Sequence, residues 1–396
     1  MIVSLLGLII SLFAYLFAFP DPRNRRFDIY LALFAVHLAS AVAFWLLSFE
    51  EAMDAFTYYR DPYNMIEEDP LESGTFFIVH IVQNIRLTLG GSFLDHFIFF
   101  QCFGMVGLAL VMRAFNEVAD SLGMQLPWQA YLLLFLPGLH FWSAGIGKDG
   151  PMIMAIALSL WASLRIQRRI LWFALAVLIM VLIRPHIAAI AMLAAACGLF
   201  FSKQLSSRVR VVLAPVALIA LAFVVVKVFN RFNLSLDTEA VSDFVETQQS
   251  HGETHGSGAA LQELIFPLKV WSLLFRPFFN DALGMGLMGW AAAVENTVLL
   301  GIFGYVAYHV RLVVRLSFHV FFVAYASVFS VATVVALALV NYNLGLGQRQ
   351  KMMAVIAVLL IFTTIFLYKR FQAAAAYMYG QQMAEPDEQQ YAPAGA

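Results

Sequence analysis

The segment LSFHVFFVAYASVFSVATVVALALV at residues 316–340 decides the fold of this chain. It contains no Asp, Glu, Lys or Arg. A helix needs about 20 mostly apolar residues to cross about 30 Å of hydrocarbon. The segment is long and apolar enough to do this, which predicts a transmembrane helix.

Most of the chain is similarly apolar and poor in charged residues. Of its 396 residues 62% are hydrophobic and 12% are charged, and the mean hydropathy is +0.79. Soluble domains are about half apolar and about a quarter charged, so this composition predicts an all-α, polytopic transmembrane bundle of about eleven spans, within a range of about ten to twelve. The predicted spans are 2–19, 29–48, 93–112, 128–143, 150–164, 170–183, 187–202, 211–229, 284–308, 316–340 and 352–368.

Two segments leave alternatives open. The stretch 75–92 is apolar but interrupted by polar side chains, and we interpret it as an interfacial or re-entrant helix. The spans 170–183 and 187–202 could also form one broken or re-entrant element at Arg184–Pro185–His186.

Composition also excludes several classes of function. A net charge of −1 argues against a nucleic-acid partner. Cys102 and Cys197 lie inside apolar spans, where they are expected to pack rather than to bind metal or form disulfides. The N-terminus lacks a basic region and a small-residue cleavage site, so it is interpreted as a first span, not a removed signal peptide.

Basic residues in short loops predict the orientation, since cytoplasmic loops are enriched in Lys and Arg. If the spans alternate, one side collects Arg23, Arg25, Arg26, Arg113, Arg165, Arg168, Arg169, Lys203, Arg208, Arg210, Arg311, Arg315, Lys369 and Arg370. This places the N-terminus outside and the C-terminus inside. The bundle then covers 1–370 with long outer loops at 49–74 and 230–281, and the Gln-, Glu-, Ala- and Pro-rich segment 371–396 is a disordered cytoplasmic tail.

A second group of basic residues remains on the outer side, often at the mouth of a span. Cations at such positions are costly and tend to face a cavity or a partner, and phosphate is a suitable partner for Arg and Lys. The alternative is pairing with outer carboxylates or snorkelling to lipid headgroups. We favour an anion-binding cavity for the group Arg60, Arg86, Lys148, Arg184, Lys227, Arg231, Lys269, Arg276, Arg349 and Lys351.

The outer segment MDAFTYYRDPY supplies a candidate catalytic carboxylate. Asp54 could act as a general base on a sugar hydroxyl. Tyr58 and Tyr59 offer stacking faces and hydroxyl donors, and Arg60 adds charge. The alternative is an interfacial aromatic belt beside a solvated acidic loop.

Two further segments contribute site candidates. LPGLHFWSAGIGKDGPM contains His140, Lys148 and Asp149, with Lys-Asp at the start of a helix where phosphate is attracted. LIRPHIAA places Arg184 and His186 around a proline that breaks the helix, and broken helices at membrane depth border cavities. The alternatives are simple structural turns with a local ion pair or a snorkelling arginine.

The remaining polar positions are less specific. Arg86, Arg276 and Arg349 are candidate substrate-binding cations. For Arg276, Arg349 and Lys351 the alternative is snorkelling to lipid headgroups. Glu295 lies inside a span and is expected to hydrogen-bond a neighbouring helix. The segment HGETHGSG at 251–258 has its Glu misplaced for a zinc motif and is predicted to be a flexible polar loop, so no metal site is predicted.

A family resemblance rests on four of these segments. FLPGLHFWSAGIGKDGPM (135–152), RPFFND (276–281), NLGLGQRQKMMAV (343–355) and DAFTYY (54–59) resemble patches in Wzy-like and EpsG-like polysaccharide polymerases and in GT-C-type membrane glycosyltransferases. The resemblance implies a polyprenyl-diphosphate-linked sugar, such as one on undecaprenyl diphosphate, as substrate on the outer face. It also implies Asp54 or Asp149 as the base and Arg and Lys side chains that hold the diphosphate.

We therefore expect an inner-membrane polymerase or glycosyltransferase of a bacterial cell envelope, making an exopolysaccharide or O-antigen-like polymer. Its expected partners are the lipid-linked oligosaccharide, the bilayer and other polysaccharide assembly proteins. No organic cofactor is expected, and a divalent cation at the diphosphate stays open. The alternatives are a transporter or flippase of an anionic lipid or solute, and an envelope-glycan acyltransferase using His37 or His319.

Overall fold

The protein is an all-helical bundle in the part of the chain that the structure describes. The computed structural model describes residues 1–22, 25–49, 54–62, 64–67, 69, 72–231, 264–340 and 343–384, and these contain no β-strand. Short 3₁₀ helices cover Met65–Glu67 and Trp128–Phe135. The α-helices are α1 (Ile2–Ala18), α2 (Phe27–Leu47), α3 (Asp54–Arg60), α4 (Thr75–Leu89), α5 (Phe93–Ser121), α6 (Pro137–Ser143), α7 (Asp149–Ser163), α8 (Ile166–Ile183), α9 (Pro185–Phe201), α10 (Ser207–Arg231), α11 (Phe266–Phe275), α12 (Phe279–Ala282), α13 (Gly286–Tyr308), α14 (Val310–Ser317), α15 (Phe321–Val340) and α16 (Leu344–Ala384).

Several of these helices are long and apolar enough to cross a bilayer, which makes this a multi-pass membrane protein. Among the described residues there are 7 such helices. They are Phe27–Leu47, Phe93–Ser121, Ile166–Ile183, Ser207–Val226, Gly286–Tyr308, Phe321–Val340 and Leu344–Tyr377. Four shorter apolar helices accompany them, namely α1, α4, α9 and α11.

The predicted span at 128–143 is wrong as a continuous helix. A 3₁₀ helix ends at Phe135, Leu136 has an extended ψ of 123°, and α6 begins at Pro137. Proline has no N–H to donate and disfavours helical geometry in the residue before it, which explains the break. The segment therefore enters the bundle as two short pieces joined at an angle.

The last helix is longer than predicted at both ends. The sequence placed a span at 352–368 and a disordered tail from 371, but α16 runs from Leu344 to Ala384. The run QAAAAYM at 372–378 consists largely of good helix formers, so the helix continues past Arg370. Residues 385–396 of the predicted tail lie outside the described residues, as does most of the predicted loop 230–281, including the HGETHGSG segment.

The centre of the bundle is formed by α5, α7 and α16. The most apolar windows of α5 and α16 are 72% and 83% buried, whereas that of α2 is 28% buried. Small residues allow the close approach, as in other membrane bundles. A Cβ on Gly107 of α5 would stand 3.1 Å from the backbone nitrogen of Met154 in α7. The outer helices bury one stripe and present the rest of their surface to lipid.

A buried polar cluster ties four helices together. The Lys351 ammonium of α16 donates to the Leu274 carbonyl of α11 at 3.1 Å and to the side-chain oxygen of Asn296 in α13. Glu295 of α13 accepts from the Gly138 backbone N–H of α6, which confirms its predicted structural role. Leaving a buried polar group without its hydrogen-bond partner costs about 1–3 kcal/mol, so these contacts stabilise the position of α16.

A second charged cluster lies near the C-terminal end of α5. Glu117 accepts from Arg113 at 2.7 Å, from Arg169 at 3.0 Å and from the Trp161 indole at 3.0 Å, while Arg165 stands 3.7 Å away. The Arg169 guanidinium also stacks 3.9 Å from the Trp161 ring centre. This cluster joins α5 and α7 to the N-terminal end of α8.

Candidate functional site

A polar cavity of about 300 Å³ opens where α8 ends and α9 begins. α8 rises about 1.5 Å per residue, so the cavity lies roughly 27 Å along α8 from the Glu117 cluster. We call this the cavity end of the bundle. The cavity is lined by Asp54, Ser73, Gly74, Thr75, Lys148, Ile183, Arg184, Pro185, His186, Leu346, Arg349 and Gln350.

One buried carboxylate organises two arginines at the cavity. Asp149, the first residue of α7, accepts from Arg184 Nη2 at 2.8 Å through Oδ1, and its Oδ2 accepts from Arg349 Nε. The side chains of Asp149 and Arg184 are 8% and 9% exposed, so this contact is largely shielded from water. Buried charges persist when they are paired in this way. Because both carboxylate oxygens are occupied, Asp149 is better suited to positioning the guanidinium groups than to accepting a proton.

Arg349 connects the buried carboxylate to the mouth of the cavity. Its Nη1 stands 3.4 Å from Asp54 Oδ2, and its guanidinium lies 5.9 Å from the ring centre of Trp142. The Asp54 side chain is 59% exposed, in contrast to that of Asp149. Asp54 therefore keeps at least one oxygen open to a ligand, which a general base requires.

Lys148 supplies a third cation, in the turn between α6 and α7. Its ammonium donates to Thr75 Oγ1 at 2.8 Å, which leaves two of its three donor hydrogens for other acceptors. Burial, together with the charge of Arg184, lowers the pKa of Lys148 to about 8. An anion in the cavity would offset this effect, because an opposite charge favours the protonated form.

The chain positions these cations through local breaks in the helices. Arg184 has the extended angles φ −143° and ψ 84° between α8 and α9, and Pro185 then starts α9. Proline is favoured at the first position of a helix because no N–H partner is needed there. Opposite it, Gly74 adopts φ 92°, a region that favours glycine, and its N–H donates to the Leu182 carbonyl at 2.9 Å. α4 is thereby attached to the end of α8.

The tyrosines and arginines of the predicted outer segment have different positions. Tyr58 is buried behind the cavity near Thr75, and burial raises the pKa of its hydroxyl. Tyr59 donates to the Gly91 carbonyl at 3.0 Å, and Arg86 donates to the Tyr59 carbonyl at 2.9 Å. Arg60 stacks 4.6 Å from the ring centre of Phe56. None of these side chains is among those that line the cavity, so they shape α3 and α4 instead.

Two other predicted site residues are also outside the cavity. His140 is buried in the bundle with its Nδ1 3.2 Å from Nδ1 of His37 and its Nε2 2.9 Å from the Leu134 carbonyl. Arg276 forms a two-bond ion pair with Asp281, with Nη2–Oδ1 at 2.6 Å and Nε–Oδ2 at 3.0 Å. The hydrogen bond from Arg276 lowers the pKa of Asp281. The structure therefore brings together Asp54, Lys148, Asp149, Arg184, His186 and Arg349 and separates the rest.

Sequence reasoning missed the neutral residues of the cavity. Thr75 accepts a hydrogen bond from Lys148, and Gln350 contributes an amide to the lining. Thr75 follows the glycine that precedes α4, which is the only sequence signal it carries. Lys351, which the sequence grouped with the cavity cations, is directed into the buried polar cluster instead. The side chains of Lys227 and Arg231 lie outside the described residues.

Neither a metal site in the described part of the chain nor a related protein indicates the function of the cavity. Across the residues the structure describes, no group of three or more His, Cys, Asp or Glu side chains could hold a metal ion. No family model, curated protein or solved structure matches this chain. The function is therefore inferred from the geometry of the cavity itself.

Proposed function

We propose that the protein is a polytopic membrane glycosyltransferase or polymerase that uses polyprenyl-diphosphate-linked sugars at the cavity end of the bundle. The observation that supports this is the convergence of three cations and one exposed carboxylate in a single cavity of a membrane protein. In this proposal the cavity end faces the extracytoplasmic side of a bacterial inner membrane, with the N-terminus outside. The product is an exopolysaccharide or O-antigen-like polymer.

The charge of the cavity suits a diphosphate. Lys148, Arg184 and Arg349 carry three positive charges, and Asp54 and Asp149 carry two negative charges, which leaves a net charge of +1. The surplus is small, but Arg184 and Arg349 both line the cavity, whereas Asp149, which they both contact, is not among the lining residues. Arginine offers a forked donor set and lysine a point charge, and phosphate binds both.

The transfer step can be assigned to these residues. The acceptor hydroxyl oxygen attacks the anomeric carbon of the lipid-linked donor, and its proton passes to Asp54. The bond from that carbon to the phosphate oxygen breaks, and the electron pair leaves with the polyprenyl diphosphate. Arg184, Arg349 and Lys148 stabilise the negative charge that develops on this leaving group. Asp149 is a positioning residue, because it fixes the direction of both guanidinium groups.

The alternatives receive less support from the geometry. An acyltransferase needs a catalytic histidine at the site, but His37 is buried against His140 and His319 is exposed near the start of α15, so neither lines the cavity. A carrier of an anionic lipid or solute would use the same cations. It would have no need of Asp54, whose negative charge weakens anion binding.

The test is genetic complementation in the source bacterium. The gene is deleted and then restored as wild type, Arg184→Ala, Arg349→Ala or Asp54→Asn. The matched control is Arg60→Ala, which removes a cation of α3 that does not line the cavity. Surface polymer length and lipid-linked repeat units are measured, and membrane abundance of each variant is checked. We expect each cavity variant to lower polymer synthesis about 100-fold, and lipid-linked units to accumulate.

Two outcomes would refute the proposal. The first is a deletion strain whose polymer is unchanged in amount and length. The second is an Asp54→Asn variant with full activity beside an inactive Arg184→Ala, which would indicate transport of an anionic lipid without glycosyl transfer. The Arg60→Ala control should retain polymer synthesis throughout.

A further inference from the structure

A basic pocket and an apolar groove meet at the end of α8 that is remote from the cavity. The pocket has a volume of about 310 Å³ and is lined by Ser163, Leu164, Arg165, Ile166, Gln167, Arg168, Gln204 and Leu205. The groove has a volume of about 350 Å³ and runs between α8, α9 and α10, also starting at Ile166. Ile166 lines both, so the pocket and the groove adjoin, and a molecule with a polar head and an apolar tail matches the two surfaces.

The pocket presents hydrogen-bond donors to its occupant. Arg165 is the outermost arginine of the Glu117 cluster, with its side chain 55% exposed. The Arg168 side chain has no ion-pair partner within the described ranges. Gln204 accepts the Phe321 N–H at 2.9 Å through Oε1, which turns its NH₂ group away from that contact. Two guanidinium groups and an amide form a site for phosphate oxygens.

The pocket also selects against a cationic headgroup. Among the side chains that line it there is no Asp or Glu. Glu117, which stands 3.7 Å from Arg165, is already held at 2.7 Å by Arg113 and at 3.0 Å by Arg169. A choline or ethanolamine group would therefore have no partner and would be repelled by the arginines, whereas an anionic headgroup would not.

The groove has the length and surface of an acyl-chain site. Its lining is almost wholly apolar, from Ile166 near the start of α8 to Val181 near its end. Fifteen residues of helix span about 22 Å, and one leaflet of hydrocarbon is about 15 Å thick. Leu178 and Phe223 are exposed along its edges, so the groove is open to the bilayer. An acyl chain can enter it from the side.

We propose that this end of the bundle binds one anionic phospholipid, with its phosphate on Arg165 and Arg168 and an acyl chain in the groove between α8, α9 and α10. The site lies at the opposite end of α8 from the cavity and does not depend on the proposed glycosyl transfer. Its role is to hold α10, which packs mainly against α9, in place against the bundle.

The test is lipid binding to the delipidated full-length chain, measured by native mass spectrometry and by thermal unfolding in detergent. The probes are phosphatidylglycerol, phosphatidylcholine with the same acyl chains, and glycerophosphoglycerol, which has the headgroup without the tails. We expect phosphatidylglycerol to bind about tenfold more tightly than phosphatidylcholine, since both carry a phosphate but only the choline cation is repelled by the arginines. Glycerophosphoglycerol should not stabilise the protein.

Variants separate the pocket from the groove. Arg165→Gln with Arg168→Gln should remove the preference for phosphatidylglycerol. Ala220→Phe places a larger side chain at a half-buried position of the groove lining and should weaken the binding of both lipids. Arg311→Gln is the matched control, because α14 lies at the same end but outside the pocket. Equal binding of both lipids to the wild type, or an equal loss in Arg311→Gln, would overturn the site. Binding of glycerophosphoglycerol as tight as that of phosphatidylglycerol would overturn the role of the groove.

Discussion

Replacing Asp149 with Asn tests whether this carboxylate holds the two cavity arginines. The substitution keeps the shape of the side chain but removes its charge. Arg184 and Arg349 then remain close together, mostly buried, and without the carboxylate that both contact. Unit charges about 4 Å apart interact by about 4 kcal/mol at an effective dielectric constant of 20. Breaking a buried pair costs about 3–5 kcal/mol, so we expect a loss of that size in the free energy of unfolding.

The same variant tests the cavity as an anion site. An added anion can replace the missing carboxylate between the two guanidinium groups, so pyrophosphate should stabilise Asp149→Asn more than it stabilises the wild type. A ligand at 100 times its dissociation constant adds about 2.7 kcal/mol to the free energy of unfolding, which would recover much of the loss. The assay is thermal unfolding of the purified chain in detergent, titrated with pyrophosphate.

Asp281→Asn is the matched control for this experiment. It breaks the ion pair with Arg276, which is 30% exposed and lies outside the cavity. Because both side chains are partly open to water, the loss should be smaller than that for Asp149→Asn, and pyrophosphate should not reverse it. If Asp149→Asn unfolds like the wild type, or if pyrophosphate rescues both variants equally, the assignment of Asp149 and of the anion site is refuted.

Three further predictions concern other parts of the molecule. Sulfate, whose own charge is constant near neutral pH, should bind the cavity less tightly as pH rises through the Lys148 pKa of about 8, because Lys148 then loses its proton. In a binding titration, Lys148→Gln should flatten this pH dependence. Glu117→Gln leaves a cluster of arginines without their carboxylate and should lower the free energy of unfolding by about 3–5 kcal/mol in a denaturation assay. Gly104→Ala should lower the unfolding temperature, since its Cβ would lie 2.6 Å from the Ser143 carbonyl oxygen, whereas Gly301→Ala, with nothing within 4 Å, should not.

Much of the fold could be predicted because hydrocarbon thickness sets the length of an apolar helix. The segment at 316–340 is the clearest case, and α15 covers most of it. The start of α16 was missed for a physical reason. Arg349 and Lys351 are costly in hydrocarbon, so the sequence placed the span after them, but Asp149 and Asn296 pair with them and let the helix begin earlier.

The candidate site was only partly predictable. Charge at the mouths of spans identified Lys148, Arg184 and Arg349, because cations there need a partner wherever the helices place them. The choice of partner depends on packing between distant segments, and no local pattern records it. Asp149 was therefore predicted as a base although it lies between two guanidinium groups, and His140 was predicted at the site although it packs against His37 in the interior.

The attachment of α3 to α4 has a consequence for access to the cavity. The side-chain amide of Gln83 in α4 donates to the carbonyls of both Tyr58 and Tyr59, so the two helices form one unit. Lys351 anchors α16 on the other side. Any motion that draws Asp54 away from Arg349 must therefore carry α4 along, with the backbone near Gly74 as its pivot. Widening of the cavity mouth on the Asp54 side is then coupled to the displacement of two joined helices, α3 and α4.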